Sequence, residues 1–212
     1  MALGCILGLF GGMGRLSKDR FVRALATCYV DFVRGTPLLV QLFIVYFGLP
    51  PVIQQFKVFL ETSFALGPFA STSHVPAFVA AVVACSINSG AYVSEIFRAG
   101  IQSIEKGQRE AALSLGMTPR QAMRHVILPQ AIRRVVPPLG NEFIAMLKDT
   151  SLLICIGYAE LTRQGQLIIG NTFRPFEIWF AVAILYLIMT LSISRMVDFT
   201  ERRLGINGNH QG

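Results

Sequence analysis

Charge is scarce in this chain of 212 residues: 15% are Asp, Glu, Lys or Arg, against 53% hydrophobic. With a mean hydropathy of +0.55, that balance excludes an ordinary soluble domain and points to an integral membrane protein. Cysteine is equally uninformative as chemistry. Cys5, Cys28, Cys85 and Cys155 form no C-x-x-C pair and have no metal-ligand spacing to histidine, so they read as small apolar filler. His74, His125 and His210 are scattered, which implies no metal site. There is no G-x-x-x-x-G-K-[ST], so the chain supplies no P-loop of its own. Lacking G-x-S-x-G, an acid–base histidine or a zinc ligand set, it offers no support for a membrane-embedded enzyme. Nor is there an internal repeat of the kind that secondary carriers often show.

What the chain has in quantity is apolar runs. Residues 1–14 are uncharged but too short for a spanning helix of ~20 residues, and are expected to form the second half of a transmembrane helix. Gly4 and Gly8 there make a small-xxx-small pair, suited to close helix packing. Complete spans are expected over 37–56, 75–97, 135–160 and 177–197. Residues 21–32 are mildly amphipathic and fit the membrane surface. The Pro50-Pro51 pair is expected to kink or end the first complete span. Asn88-Ser89-Gly90 interrupts the second, either as a packing notch or as part of a pathway. Glu95 and Arg98 lie one turn apart and are expected to pair.

Net charge is +7, and its placement matters more than its size. The 15–34, 98–134 and 195–203 segments hold 15 Lys and Arg, whereas the intervening loops hold only Lys57, Arg163 and Arg174. This asymmetry places the basic loops and the C-terminus in the cytoplasm and argues against nucleic acid as a partner. Lys148 alone lies inside a span, with Glu142 and Asp149. Charges there cost several kcal/mol without a partner or a wet cavity. Glu142 and Asp149 are seven residues apart and share a helix face, with Thr150 adjacent. Lys148 points about 100° away from Asp149. The cluster is either a buried ion-pair network with another helix or the lining of a translocation path, which Asn88 and Ser89 would join.

The most distinctive stretch runs from Glu110 to Pro129, EAALSLGMTPRQAMRHVILP. Its composition predicts a short basic helical hairpin. Gly116 ends one helix. Thr118, Pro119 and Gln121 start the next as N-cap, first helical residue and capping box, and Pro129 is expected to end it. Glu110-Ala111-Ala112, Gly116 and Leu128-Pro129 keep the spacing of the EAA loop of ABC-importer membrane subunits, with Val126 where that pattern has Ile. Further runs, RGTPLLVQL from Arg34, INSGAYVSEIFRAGI from Ile87, PPLGNEFI from Pro137, KDTSLL from Lys148 and AELTRQGQ from Ala159, resemble the permeases of polar-amino-acid importers of the glutamine/histidine/arginine type.

The resemblance implies an all-α integral membrane protein, an ABC-importer type I transmembrane domain of four complete spanning helices plus a partial first one. It implies a bacterial inner-membrane permease that pairs with itself or a homologue and receives a polar amino acid, glutamine first among the candidates, from an extracytoplasmic binding protein. The hairpin (Glu110, Ala111, Ala112, Gly116, Leu128, Pro129) would dock on a cytoplasmic ATPase. That partner, not this chain, would bind ATP and Mg. Glu142 and Asp149 match positions that meet substrate in some members. The alternative is an ion-coupled secondary amino-acid carrier using Glu142, Lys148 and Asp149.

Overall fold

The computed structural model describes residues 1–64 and 74–203, and those residues form helices joined by short turns. In chain order they are α1 (Ala2–Arg15), α2 (Arg20–Arg34), α3 (Leu38–Phe43), a π-helical turn Ile44–Gly48, α4 (Leu49–Phe64), α5 (Ala77–Gln102), α6 (Lys106–Ser114), α7 (Pro119–Ala122), a second π-helical turn Met123–Ile127, α8 (Leu128–Asp149), a 3-10 segment Thr150–Ile156, α9 (Leu161–Thr172) and α10 (Pro175–Arg203).

Helix starts follow from side-chain caps. Asp19 accepts from the Phe21 and Val22 amides at 2.8 and 3.2 Å to begin α2. Glu160 accepts from the Thr162 and Arg163 amides, both at 2.7 Å, to begin α9. Each cap satisfies amide donors that the first helical turn leaves unpaired.

The helices meet where glycine faces a β-branched side chain. A Cβ at Gly8 of α1 would lie 2.4 Å from Val93 Cγ1 of α5. At Gly100 of α5 it would lie 2.3 Å from Val135 Cγ2 of α8, at Gly140 of α8 2.5 Å from Val197 Cγ1 of α10, and at Gly165 of α9 2.8 Å from Val182 Cγ2 of α10. In a lipid setting hydrophobic burial does not drive helices together, so close backbone approach and dispersion must. The four glycine–valine contacts provide that approach. α10 is otherwise open, with Val182 its single buried residue, and its outward Phe180, Leu187, Ile188 and Leu191 suit a lipid environment.

Several expected boundaries move. The first complete span is a 26-residue unit, Leu38–Ser63, and runs through Pro50-Pro51. Pro129 does not end the hairpin helix either, since α8 starts at Leu128 and continues to Asp149. Both cases share a device. The Ile44–Gly48 turn stops two residues before Pro50, and the Leu49 amide reaches back five residues to the Ile44 carbonyl. The Met123–Ile127 turn stops two residues before Pro129, and the Leu128 amide reaches Met123. A proline ring clashes with the carbonyl four residues earlier. A π turn at that place widens the helix and removes the demand for the missing N–H. Pro137 and Pro138 also lie within α8, and the helix expected over 135–160 runs from Leu128 to Asp149, is followed by the 3-10 segment, and ends in a turn at Gly157, φ 73°. Within the expected connection between the last two spans, residues 161–172 form α9.

Asn88-Ser89-Gly90 does not break α5, which extends to Gln102. Among the described residues three helices are long and apolar enough to cross a membrane, Leu38–Ser63, Ala77–Gln102 and Pro175–Arg203. α8, with Arg133, Arg134, Glu142, Lys148 and Asp149, is not among them. The expected connection 57–74 is helical up to Phe64. Its residues 65–73, together with the C-terminal 204–212 that bear on the expected cytoplasmic C-terminus and contain His210, lie outside the described residues.

Candidate functional site: a carboxylate-lined groove and a helical hairpin

Two stripes on α5 organise the site. Ser89, Gly90, Val93, Ser94 and Phe97 face the glycines of α1. Asn88, Tyr92, Glu95, Ile96 and Ala99, spaced 4, 3, 1 and 3 residues apart, face a groove between the end of α2 and α8. The groove contains two cavities. The first, of about 550 Å³, is lined by Asn88, Glu142 and Asp149, with Arg34, Thr36 and Tyr92. The second, of about 400 Å³, is lined by Glu95, Gly100, Ser103 and Arg134, again with Arg34 and Tyr92. Both volumes fall in the ~300–1,000 Å³ range of small-molecule sites.

The loop entering the groove is held by Gln41 of α3, which is buried. Its amide nitrogen donates to the Val33 carbonyl at 2.7 Å, the Thr36 carbonyl at 3.0 Å and Thr36 Oγ1 at 2.9 Å. Its oxygen accepts from Asn88 Nδ2 at 3.1 Å. A primary amide both donates and accepts, so one side chain pins the Arg34–Pro37 turn to α5. Tyr29 of α2 donates to the Ile87 carbonyl at 2.7 Å, and burial pushes its phenol upward from its ordinary pKa. At one edge of the groove Glu95 pairs with Arg98 and, at 2.7 Å, with Arg15, which also lies 3.7 Å from Asp31.

The structure therefore brings Asn88, Glu142 and Asp149 together on one cavity. Ser89 lies behind that cavity with its hydroxyl within reach of the Glu142 carboxyl, whereas Lys148 and Thr150 are not brought there. Ser89 is fully buried beneath Gly4 and donates to Met1 Sδ at 3.2 Å; one residue beyond Asn88, it is turned about 100° to the α1 side. Thr150 donates to the Leu147 carbonyl at 2.6 Å and lines a separate, mainly apolar cavity of about 370 Å³. Lys148 lines neither groove cavity. Arg34, Gln41 and Tyr92 had not been singled out. The signal available for Gln41 was a lone amide inside an apolar helix, which has to find partners.

The 110–129 stretch folds as a helix, a tight turn and a second helix. Gly116 has φ 83°, the left-handed conformation that glycine adopts at little cost. Its amide donates to the Leu113 carbonyl at 3.0 Å and the Met117 amide to Ala112 at 3.2 Å, the paired bonds of a Schellman end. Thr118 and Gln121 form a reciprocal capping box. Glu110, Ala111 and Leu115 are exposed, Leu115 at 81%, while Ala112 is buried. On the inner side Gln130 donates to the Val126 carbonyl at 2.9 Å and to Gln108 at 3.4 Å, holding α6 against α8. Leu128 and Pro129 form the first turn of α8.

Comparison with known proteins places this all-helical architecture. The chain has the type I ABC-importer fold: it superimposes on a crystal structure of an amino acid ABC transporter with histidines at a TM-score of 0.81 and 44% identity, covering 95% of this chain and 86% of that one. The inward-facing MetNI methionine ABC transporter shares the fold at a TM-score of 0.65 and 18% identity, covering 96% and 91%. Residues 3–206 match the binding-protein-dependent transport system inner membrane component family, and the chain belongs to it.

Similar proteins include the glutamine transport system permease protein GlnP of Escherichia coli K12, 44% identical over 206 residues that cover 97% of this chain and 86% of GlnP. The probable amino-acid permease protein YxeN of Bacillus subtilis is 39% identical, covering 94% and 84%. The L-cystine transport system permease protein TcyB of the same organism is 43% identical, covering 95% and 78%.

Proposed function

We propose that the chain is the permease subunit of an ABC importer that carries a polar amino acid, glutamine foremost, across the bacterial inner membrane. The observation that carries this reading is the cavity on which Glu142, Asp149 and Asn88 converge, a setting that accepts the α-ammonium group of an amino acid by charge and hydrogen bonds. Similarity to GlnP supports glutamine. α8 completes a fourth crossing: its Arg134, Glu142 and Asp149 line the groove rather than face lipid, which is how a helix of low apolarity is accommodated in a membrane. α1 contributes a partial fifth. The C-terminus lies in the cytoplasm, with the basic loops.

Partner subunits complete the machine. A second permease, identical or homologous, closes the open side of the groove, and an extracytoplasmic binding protein delivers the amino acid. The exposed Glu110–Leu115 surface docks on a cytoplasmic ATPase, which holds ATP and Mg; the permease itself needs no cofactor. Gly116 sets the angle between the hairpin helices, and Leu128 and Pro129 join the hairpin to α8, so that nucleotide-driven movement of the hairpin reaches Glu142 and Asp149.

The test is reconstitution in liposomes with the ATPase and binding protein, following uptake of labelled glutamine, glutamate, histidine and arginine. Saturable uptake of one amino acid, abolished without ATP and by Gly116→Asp with the protein still inserted, is the expected result. Uptake that persists without any ATPase would overturn the reading in favour of an ion-coupled carrier.

A further inference from the structure

The two groove cavities meet at one pair of side chains. Arg34 and Tyr92 line both of them, and the Arg34 guanidinium carbon sits over the Tyr92 ring, 5.3 Å from its centroid. Among the described residues no ion pair holds Arg34. A guanidinium over an aromatic face is a weak, reversible contact, and the long arginine side chain can leave it by rotation about its own bonds.

The parts behind the pair are fixed. Arg34 is the last residue of α2. Its backbone is held on both sides by the Gln41 amide, bonded to Val33 and Thr36, and by Thr36 Oγ1, which donates to the Phe32 carbonyl at 2.9 Å. Tyr92 projects from α5, whose neighbouring Val93 is locked against Gly8 of α1. A mobile arm on a fixed mount thus meets a fixed post. The arm has a carboxylate on either side: Glu142 lines the cavity beyond it toward Asp149, and Glu95 the cavity toward the basic hairpin side.

Resting on the permease reading above, we propose that Arg34 and Tyr92 form the inner closure of the transport path, a positioning pair that seals the Glu142–Asp149 cavity from the cytoplasmic one until Arg34 swings off the ring. Neither residue acts on the substrate covalently. Their role is to prevent amino acid in the outer cavity from slipping through, or returning, out of step with ATP hydrolysis.

The experiment uses the full chain reconstituted with its ATPase and binding protein, and reads labelled glutamine accumulated per ATP hydrolysed. Arg34→Ala and Tyr92→Leu are expected to accumulate about fivefold less glutamine per ATP hydrolysed than the unmodified protein, the shift expected from losing a contact of this class. Both should also lose preloaded label to unlabelled glutamine outside during turnover. Tyr92→Phe keeps the ring face and should retain normal coupling, and Arg34→Lys should fall between. Should Arg34→Ala fail to assemble with the ATPase, Arg34→Gln carries the same expectation. Unchanged coupling in Tyr92→Leu and the arginine variant would overturn the proposal, as would ATPase and uptake falling together, which marks a merely structural role. Absence of ATP-dependent uptake by the unmodified chain would count against the permease reading instead.

Discussion

Gly8→Ala isolates the contact on which the α1–α5 pair is built. The added methyl would sit 2.4 Å from Val93 Cγ1, 2.5 Å from Val93 Cβ and 3.0 Å from the Ser94 backbone nitrogen. Val93 is fully buried and β-branched, so it has no alternative rotamer to retreat into, and the nitrogen belongs to helix backbone. The helices must therefore part. Overpacking of this type costs ~1–3 kcal/mol, and the severity of the overlap puts Gly8 at the upper end. Alanine's better helix propensity returns about 1 kcal/mol, leaving a net loss of ~1–2 kcal/mol. Gly170→Ala in α9 is the control, because nothing lies within 4 Å of the new methyl; there the propensity gain stands alone and the sign reverses. The two variants should differ by roughly 2–3 kcal/mol. The assay is the fraction of monodisperse protein surviving a temperature series, read by fluorescence-detected size exclusion, with Gly8→Ala/Val93→Ala as rescue. A Gly8→Ala protein as heat-resistant as Gly170→Ala, or a double variant no better than the single one, would refute the packing account.

Gln41→Leu is expected to cost ~1–3 kcal/mol by leaving the Thr36 carbonyl and the Asn88 amide without the Gln41 partner and taking one donor from the Val33 carbonyl; in the same assay Asn88→Leu should cost less, and the pair less than the sum of the two. Glu160→Ala removes both amide caps of α9, so hydrogen exchange at the Thr162 and Arg163 amides should accelerate in line with ~0.5–2 kcal/mol of lost local stability, with unchanged protection refuting the capping role.

Legibility in the sequence tracked the range of the interaction. The Gly116 turn and the Thr118–Gln121 box were readable because each is closed within six residues. The prolines were not. Their effect depends on whether the preceding turn is α or π, and a sequence of apolar residues such as Ile44–Gly48 carries no local mark of that choice. α9 was missed because its cap, Glu160, lies in a stretch without the apolar period expected of a spanning helix. Glu142 and Asp149 were legible as one face of one helix, yet spacing within a helix says nothing about which neighbour that face meets.

That second question is settled on α5, by α1. The glycines of α1 take the Ser89, Val93 and Ser94 side and thereby leave Asn88, Tyr92 and Glu95 to the groove. Gly4, Gly8 and Gly11 admit α5 only in a register where small or β-branched α5 side chains face them, and a rotation of α5 by one residue would bring the Tyr92 ring against Gly8 where no space exists for it. The groove's polar lining is thus a consequence of the small-residue stripe opposite. A bulky substitution on α1 should accordingly disturb the Asn88–Gln41 bond on the far side of α5 as well as the contact it touches.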